Sequence, residues 1–238
     1  KIRRLSFGRL SRNYHDAYRS NLIRSKYVNQ PRPILVNNWE ATYFDFDEEK
    51  ILNIAKKAKE VGVELFVLDD GWFGTRNDDY QGLGDWFVNK NKLPNGISGL
   101  SRKIEEMGLK FGLWVELEMV NKNSDCYRAH PDWLIGAPDR FESHSRHQHV
   151  LDFSRSEVVD FIYDSISKVI EESSISYIKW DMNRSLADIY APNVTYDYVL
   201  GVYDFLEKLT NRYPDILIEG CSGGGGRFDA GMLYYTPQ

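Results

Sequence analysis

Leu65-Phe66-Val67-Leu68-Asp69-Asp70, LFVLDD, is a short apolar run that ends in two carboxylates. Four apolar residues bounded by polar ones read as a strand buried on both faces, the kind found in parallel sheets. The same design recurs at ILVNNW (Ile34–Trp39), FGLWVE (Phe111–Glu116), VLD (Val150–Asp152), YIKWD (Tyr177–Asp181) and ILIEGC (Ile216–Cys221). Every gap between these six runs has room for a helix, whereas a hairpin needs only a few residues.

The gaps carry helical periodicity. Asp47-Glu48-Glu49 opens a segment with Ile51, Ile54, Ala55 and Ala58 on one face, and Gly62 follows as a stop. Ser154 reads as the cap of a helix carrying Val158, Phe161, Ile162, Ile166 and Val169. Tyr198, Val202, Phe205, Leu206 and Leu209 repeat the spacing before Pro214.

Alternating strands and helices predict a parallel sheet, either doubly wound and open or closed as a (β/α)8 TIM barrel. The barrel is favoured because nearly every candidate strand ends in a residue capable of chemistry. Six β/α units are countable where a barrel has eight, so the chain reads as an incomplete barrel over 31–238 behind a helical lead-in over 1–30. It is expected to be a fragment.

The chain has 238 residues, 42% hydrophobic and 14% aromatic, enough for a sizeable core. Its net charge is −5, with no basic tract to follow a phosphate backbone, so nucleic acid is not an expected partner. No apolar run reaches the roughly 18 residues of a membrane helix, and no membrane partner is expected. Cys126 and Cys221 form neither a disulfide framework nor a zinc pattern, which suits a reducing, cytoplasmic setting.

A barrel brings its carboxyl strand ends to one mouth. That mouth would gather Trp39, Asp69, Asp70, Trp114, Glu116, Asp152, Lys179, Asp181, Asn183, Glu219 and Cys221. Carboxylates and one cation between aromatic walls suit a sugar, whose hydroxyls need paired polar groups and whose C–H face needs a ring.

In Ile178–Arg184, IKWDMNR, strand alternation puts Lys179, Asp181 and Asn183 on one face. An ammonium two residues away favours an ionised Asp181, as a carboxylate nucleophile requires. The same pattern fits a salt-bridged structural aspartate equally well. Asp69-Asp70-Gly71 could accept from neighbouring sugar hydroxyls, ligate a metal, or be a solvated turn. Gly223–Gly226 lack the lysine and hydroxyl of a phosphate loop and read as a turn or a close approach to a ligand. His130, His144, His147 and His149 read as surface residues rather than metal ligands. Trp86, Trp133 and Trp180 suit a core or a platform, and Arg146 could reach a sugar oxygen or a carboxylate.

Further stretches extend this set: LSRNYHDAYRSNLI (Leu10–Ile23), RPILVNNWEATYFDF (Arg32–Phe46), LDDGWFG (Leu68–Gly74), GLGDW (Gly82–Trp86), LPNGI (Leu93–Ile97), AHPDW (Ala129–Trp133), VLDFSRSEV (Val150–Val158) and EGCSGGGGRFDAGMLYYTPQ (Glu219–Gln238). With IKWDMNR they resemble, over essentially the whole chain, the melibiase-type α-galactosidases of glycoside hydrolase family 36. The resemblance implies a (β/α)8 barrel between an amino-terminal β-sandwich and a smaller carboxy-terminal β domain. It also implies a homo-oligomeric parent enzyme that hydrolyses terminal α-1,6-linked galactose with retention, without metal or organic cofactor.

Matched position by position, Asp181 corresponds to the nucleophile. Asp69 and Asp70 correspond to acceptors of the 4- and 6-hydroxyls, and Trp39 and Trp114 to aromatic residues around the sugar. Arg146, Lys179 and Asn183 correspond to hydroxyl contacts, and Cys221 and Gly224 to a small-residue wall. A retaining glycosidase places a second carboxyl roughly 5 to 5.5 Å from the nucleophile. In the family it is an aspartate in a Trp-x-Ser-Asp segment shortly after YYTPQ, so this fragment is expected to be inactive alone.

Val115 and Leu117 stand where the family more often has Phe and Pro, and Asn183–Tyr190 departs from the usual continuation. The alternatives are α-N-acetylgalactosaminidase or galactosyl transferase activity on the same barrel, and a non-catalytic galactose-binding remnant. From another class comes a barrel enzyme holding a hard cation on Asp69, Asp70, Glu116, Asp152 and Glu219.

Overall fold

The computed structural model describes residues 6–23, 26–137, 139–143 and 145–238. Helix α1 (Phe7–Asn21) buries none of its residues and precedes the sheet. From β1 (Leu35–Asn37) the chain passes through α2 (Trp39–Thr42) and α3 (Glu48–Glu60) to β2 (Leu65–Leu68). After α4 (Gly96–Glu106) and β3 (Lys110–Val115) come β4 (Met119–Val120), α5 (Asp125–Ala129) and β5 (His149–Val150). Helix α6 (Ser156–Glu171), β6 (Tyr177–Trp180), α7 (Val194–Arg212) and β7 (Leu217–Gly220) follow, and then a positive-φ loop over Ser222–Gly225 and α8 (Ala230–Tyr235).

Strands β1, β2, β3, β6 and β7 pair in that order, all in parallel, as a five-stranded sheet. With helices between successive strands this is an incomplete (β/α) barrel. The fourth of the six expected runs, Val150-Leu151-Asp152, is the exception. Val150 pairs antiparallel with Met119 in a separate two-stranded sheet, while β3 pairs directly with β6 through Trp114 and Lys179. The Lys179-Trp180-Asp181 strand is therefore fourth in the parallel sheet, not fifth.

Period-two alternation sorts the strand residues between two cores. Phe66, Leu68, Phe111, Leu113, Ile178 and Ile218 belong to the large core shared with the helices, whereas Leu65, Val67, Tyr177 and Leu217 cluster separately with Leu35 and Tyr27. Gly112 belongs where it is, because a Cβ there would meet Tyr177 Cβ at 2.8 Å.

Asp47 caps α3 by accepting from the Lys50 N–H, and Ile51, Ala55 and Ala58 are buried as the spacing predicts. In α7 all five expected apolar positions are buried. Ser154 does not cap α6, because its hydroxyl donates to Asp152 and Arg155 takes the cap position. Phe161 remains 38% exposed. Trp86, Trp133 and Trp180 are core residues. Among the described residues no helix is long and apolar enough to cross a membrane.

Candidate active site

The carboxyl ends of the parallel strands place Asn37, Asp69, Asp70, Trp114, Glu116, Asp181 and Cys221 around one mouth. Asp181 follows β6 directly, and its own N–H donates to the Val115 carbonyl at 2.8 Å, which fixes where the side chain begins. The residue is 6% exposed, and its carboxylate takes four N–H donors. Met182 N and Gly223 N reach Oδ1 at 2.9 and 2.8 Å, while Trp114 Nε1 and Asn183 Nδ2 reach Oδ2 at 3.1 and 2.9 Å. Burial alone would raise the pKa of Asp181. The donors, Gly223 N–H foremost, outweigh it and hold the carboxyl below its ordinary value.

Lys179 has a different partner from the expected one. Its ammonium pairs with Asp69 Oδ2 at 2.9 Å, and the attraction of Asp69 raises the lysine pKa against the burial that would lower it. Asp69 also accepts from Asn37 Nδ2 and from the Asp70 N–H, and its own N–H donates to Asn38 Oδ1 at 2.8 Å. Ionised Asp181 thus rests on neutral donors rather than on a neighbouring ammonium.

Asp70 is no solvated turn residue. It is 3% exposed and takes a two-pronged ion pair from Arg76, at 2.7 Å from Nη2 to Oδ2 and 3.0 Å from Nε to Oδ1. Burial raises its pKa and Arg76 opposes the rise. Arg76, fully buried, lies in the loop after β2 and was not visible as a site residue in the sequence. Asp79 links it, at 3.5 Å, to Arg146 at 3.6 Å. Arg146 itself is exposed, at φ 50°, and reaches Asp70 only through that chain of charges.

Trp39 is half-buried at the rim, edge-on to Tyr43 and Phe44. Cys221 is half-buried beside Asp181 and Lys179, and burial pushes its thiol up to about 11. Ser222, Gly223, Gly224 and Gly225 follow with φ of 43°, 62°, 97° and 94°, a left-handed run that glycine tolerates and serine does not favour. A Cβ on Gly224 would meet nothing within 4 Å, so the backbone leaves open space beside the thiol.

Strand position alone predicts Glu116 at the mouth, and its surroundings define it. It is fully buried, accepts from Gln148 Nε2 at 2.9 Å and from the Asn183 N–H, and is pushed up to about 8 by burial and then by the charge of Asp181. Glu118, also fully buried, meets Arg227 at 2.8 and 2.7 Å. No sequence pattern marks that pair, because Glu118 lies beyond the apolar run and Arg227 beyond the glycines.

The five carboxylates of the cation reading are dispersed over separate partners. Asp69 meets Lys179, Asp70 meets Arg76 and Glu116 meets Gln148. Asp152 accepts from the Tyr190 hydroxyl at 2.7 Å, and Glu219 from Tyr177. Among the described residues no three His, Cys, Asp or Glu side chains group where they could hold a metal ion. His130 stacks on Trp133 at 3.6 Å, His147 packs on Tyr80 and is exposed, and His149 is buried rather than on the surface. His144 lies outside the described residues.

The melibiase family model matches residues 4–238. The bifunctional α-galactosidase/sucrose kinase AgaSK of Mediterraneibacter gnavus is 57% identical over 229 residues, covering 96% of this chain and 24% of that protein. The α-galactosidase AgaA of Geobacillus stearothermophilus is 54% identical over 237 residues, covering 96% and 32%. The crystal structure of AgaA, a GH36 α-galactosidase, superposes with a TM-score of 0.93 over 97% of this chain and 33% of that one. Variants of AgaA have been solved with stachyose and with raffinose, at TM-scores of 0.92 and 0.93, 54% identity, and coverage of 96% of this chain and 33% of theirs. The chain thus spans a quarter to a third of the length of these relatives.

Proposed function

The chain belongs to the melibiase family, and on that premise we propose that its strand mouth is the galactose site of a retaining α-galactosidase with Asp181 as nucleophile. The carrying observation is the four-donor cradle around a buried, ionised Asp181. In the first step a carboxylate oxygen of Asp181 bonds to the anomeric carbon while the bond to the leaving oxygen breaks and that oxygen takes a proton from a general acid. Water then cleaves the galactosyl ester and restores the carboxylate.

Asp69 and Asp70, each held by its own cation, accept from the 4- and 6-hydroxyls, and Lys179, Asn183 and Arg146 meet the remaining polar edge. Trp39 and Trp114 wall the C–H faces, with Cys221 and Gly224 beside the 2-position. The stachyose and raffinose bound by AgaA variants support α-galactosyl oligosaccharides, α-1,6-linked, as the substrate class. Residues 1–30 are read as a lead-in and 31–238 as barrel.

The neighbouring carboxylates have other engagements: Glu116 with Gln148, Glu118 with Arg227, and Glu219 with Tyr177. None of them is proposed as the general acid. These 238 residues by themselves are expected not to hydrolyse an aryl α-galactoside, and turnover by the purified segment would contradict that reading.

The direct test is Asp181→Gly in the full-length protein. Activity should fall by roughly three orders of magnitude or more, and azide should restore turnover as a galactosyl azide of inverted configuration. Near-normal activity without added azide would remove Asp181 from the role.

A further inference from the structure

The cradle around Asp181 is joined by contacts to residues that lie outside it. Its strongest donor, the Gly223 N–H, belongs to a loop whose residues 222 to 225 all carry positive φ. Such a run has little local preference for its own shape, least of all at Ser222, and must be held from outside. Arg227 is the tie. Its Nε donates to Ser222 Oγ at 3.2 Å, at the start of the run, and its Nη1 and Nη2 both bind Glu118.

Glu118 is fully buried and carries two more donors. Trp180 Nε1 reaches its Oε1 at 2.8 Å, and the Tyr198 hydroxyl, from α7, reaches its Oε2. Trp180 immediately precedes Asp181. One carboxylate therefore fastens both the residue before Asp181 and the loop that supplies the donor to Asp181. Burial alone would raise the pKa of Glu118, but Arg227, helped by Tyr198 and Trp180, holds it below its ordinary value.

We propose that Glu118, through Arg227, is a positioning residue that sets the ionisation of Asp181 by holding the Gly223 N–H against it. This rests on Asp181 being the nucleophile. The other groups facing Asp181 are Lys179 from β6, Glu116 beyond β3 and Cys221 beyond β7. None of them contacts Glu118, so their contributions should persist when it is changed.

The test uses Glu118→Gln in the full-length protein. The substitution keeps the shape of the side chain but not the charge that grips Arg227. One charge-assisted hydrogen bond to a carboxylate is worth about one pKa unit. The acidic limb of kcat/KM against pH should therefore move up by about one pH unit, with kcat/KM at its plateau falling roughly ten- to a hundredfold. Arg227→Lys, which keeps the charge and loses the two-pronged grip, should shift the limb in the same direction by less.

If Glu118→Gln does not fold, the double variant Glu118→Gln/Arg227→Met leaves no unpaired buried charge and serves in its place. Lower activity with an unmoved acidic limb would overturn the proposal, since that is all a structural role predicts, and so would unchanged kinetics. Asp181→Gly, measured in parallel, separates the two readings. An active Asp181→Gly removes the premise, whereas an inactive one with an unmoved limb in Glu118→Gln removes the positioning role alone.

Discussion

Lys179 gives its ammonium to Asp69, 2.9 Å away on the neighbouring side of the mouth, although Asp181 stands two residues along its own strand. In the proposed galactose site this cation holds Asp69 rather than Asp181. Replacing it should therefore strand a carboxylate whose side chain is only 4% exposed. Lys179→Met in the full-length protein is expected to raise KM for an aryl α-galactoside by a larger factor than it lowers kcat. It should also cost about 3 kcal/mol of stability, as breaking a buried pair does. Steady-state kinetics and denaturant unfolding check both.

Arg76 is to Asp70 what Lys179 is to Asp69, but fully enclosed. Arg76→Met leaves Asp70 buried without compensation and is expected to destabilise by about 3–5 kcal/mol. Adding Asp70→Asn to that variant should recover much of the stability and none of the affinity for galactose. Thermal unfolding and calorimetric titration with galactose separate the two effects.

Glu116 gives the stability curve a slope. Its folded pKa, about 8, lies above the ordinary 4.5, so between those values the folded state holds a proton that the unfolded state has lost. Its contribution to stability is full below about pH 4.5 and is lost as pH rises through about 8. Glu116→Gln removes that loss. Relative to the parent, the variant should gain on the order of a few kcal/mol between about pH 5 and about pH 9, read from unfolding midpoints at the two pH values.

Cys221 should be a poor nucleophile despite its position. With its thiol pushed up to about 11, only about one molecule in a thousand carries the thiolate at pH 8. Alkylation by iodoacetamide should be slow, should quicken as pH rises, and should slow again when galactose fills the mouth. Mass spectrometry of the modified peptide over time would show rapid labelling at neutral pH if the site were otherwise.

The strand ends were legible because burial on both faces leaves a continuous apolar signal and polar residues stop it abruptly. The exception, Val150-Leu151-Asp152, carries the same signal, but only its Val150 joins a strand, His149–Val150, which pairs antiparallel with Met119–Val120. A three-residue run does not encode the direction of its partner. At the site, the residue types at Asp69, Asp70, Lys179 and Asp181 could be read, but not which cation serves which carboxylate. That choice is made by the registers that set β2 and β6 on either side of β3, so that Asp69 and Lys179 flank Trp114, and by a loop that brings Arg76 to Asp70. Two of the four donors to Asp181 are backbone N–H groups, which no side-chain pattern can reveal.

The donors around Asp181 are all uncharged, and this makes ionic strength a weak lever on the nucleophile. Dissolved ions screen charges over about 8 Å at physiological salt, but they do not loosen N–H dipoles in direct contact with a buried oxygen. Arg146, proposed above to meet the sugar, is exposed and has no such shelter. If the proposed site is right, added salt should move KM while the acidic limb of the pH profile stays in place, so the ionisation of Asp181 is insulated from the medium in a way that a charge-held carboxylate would not be.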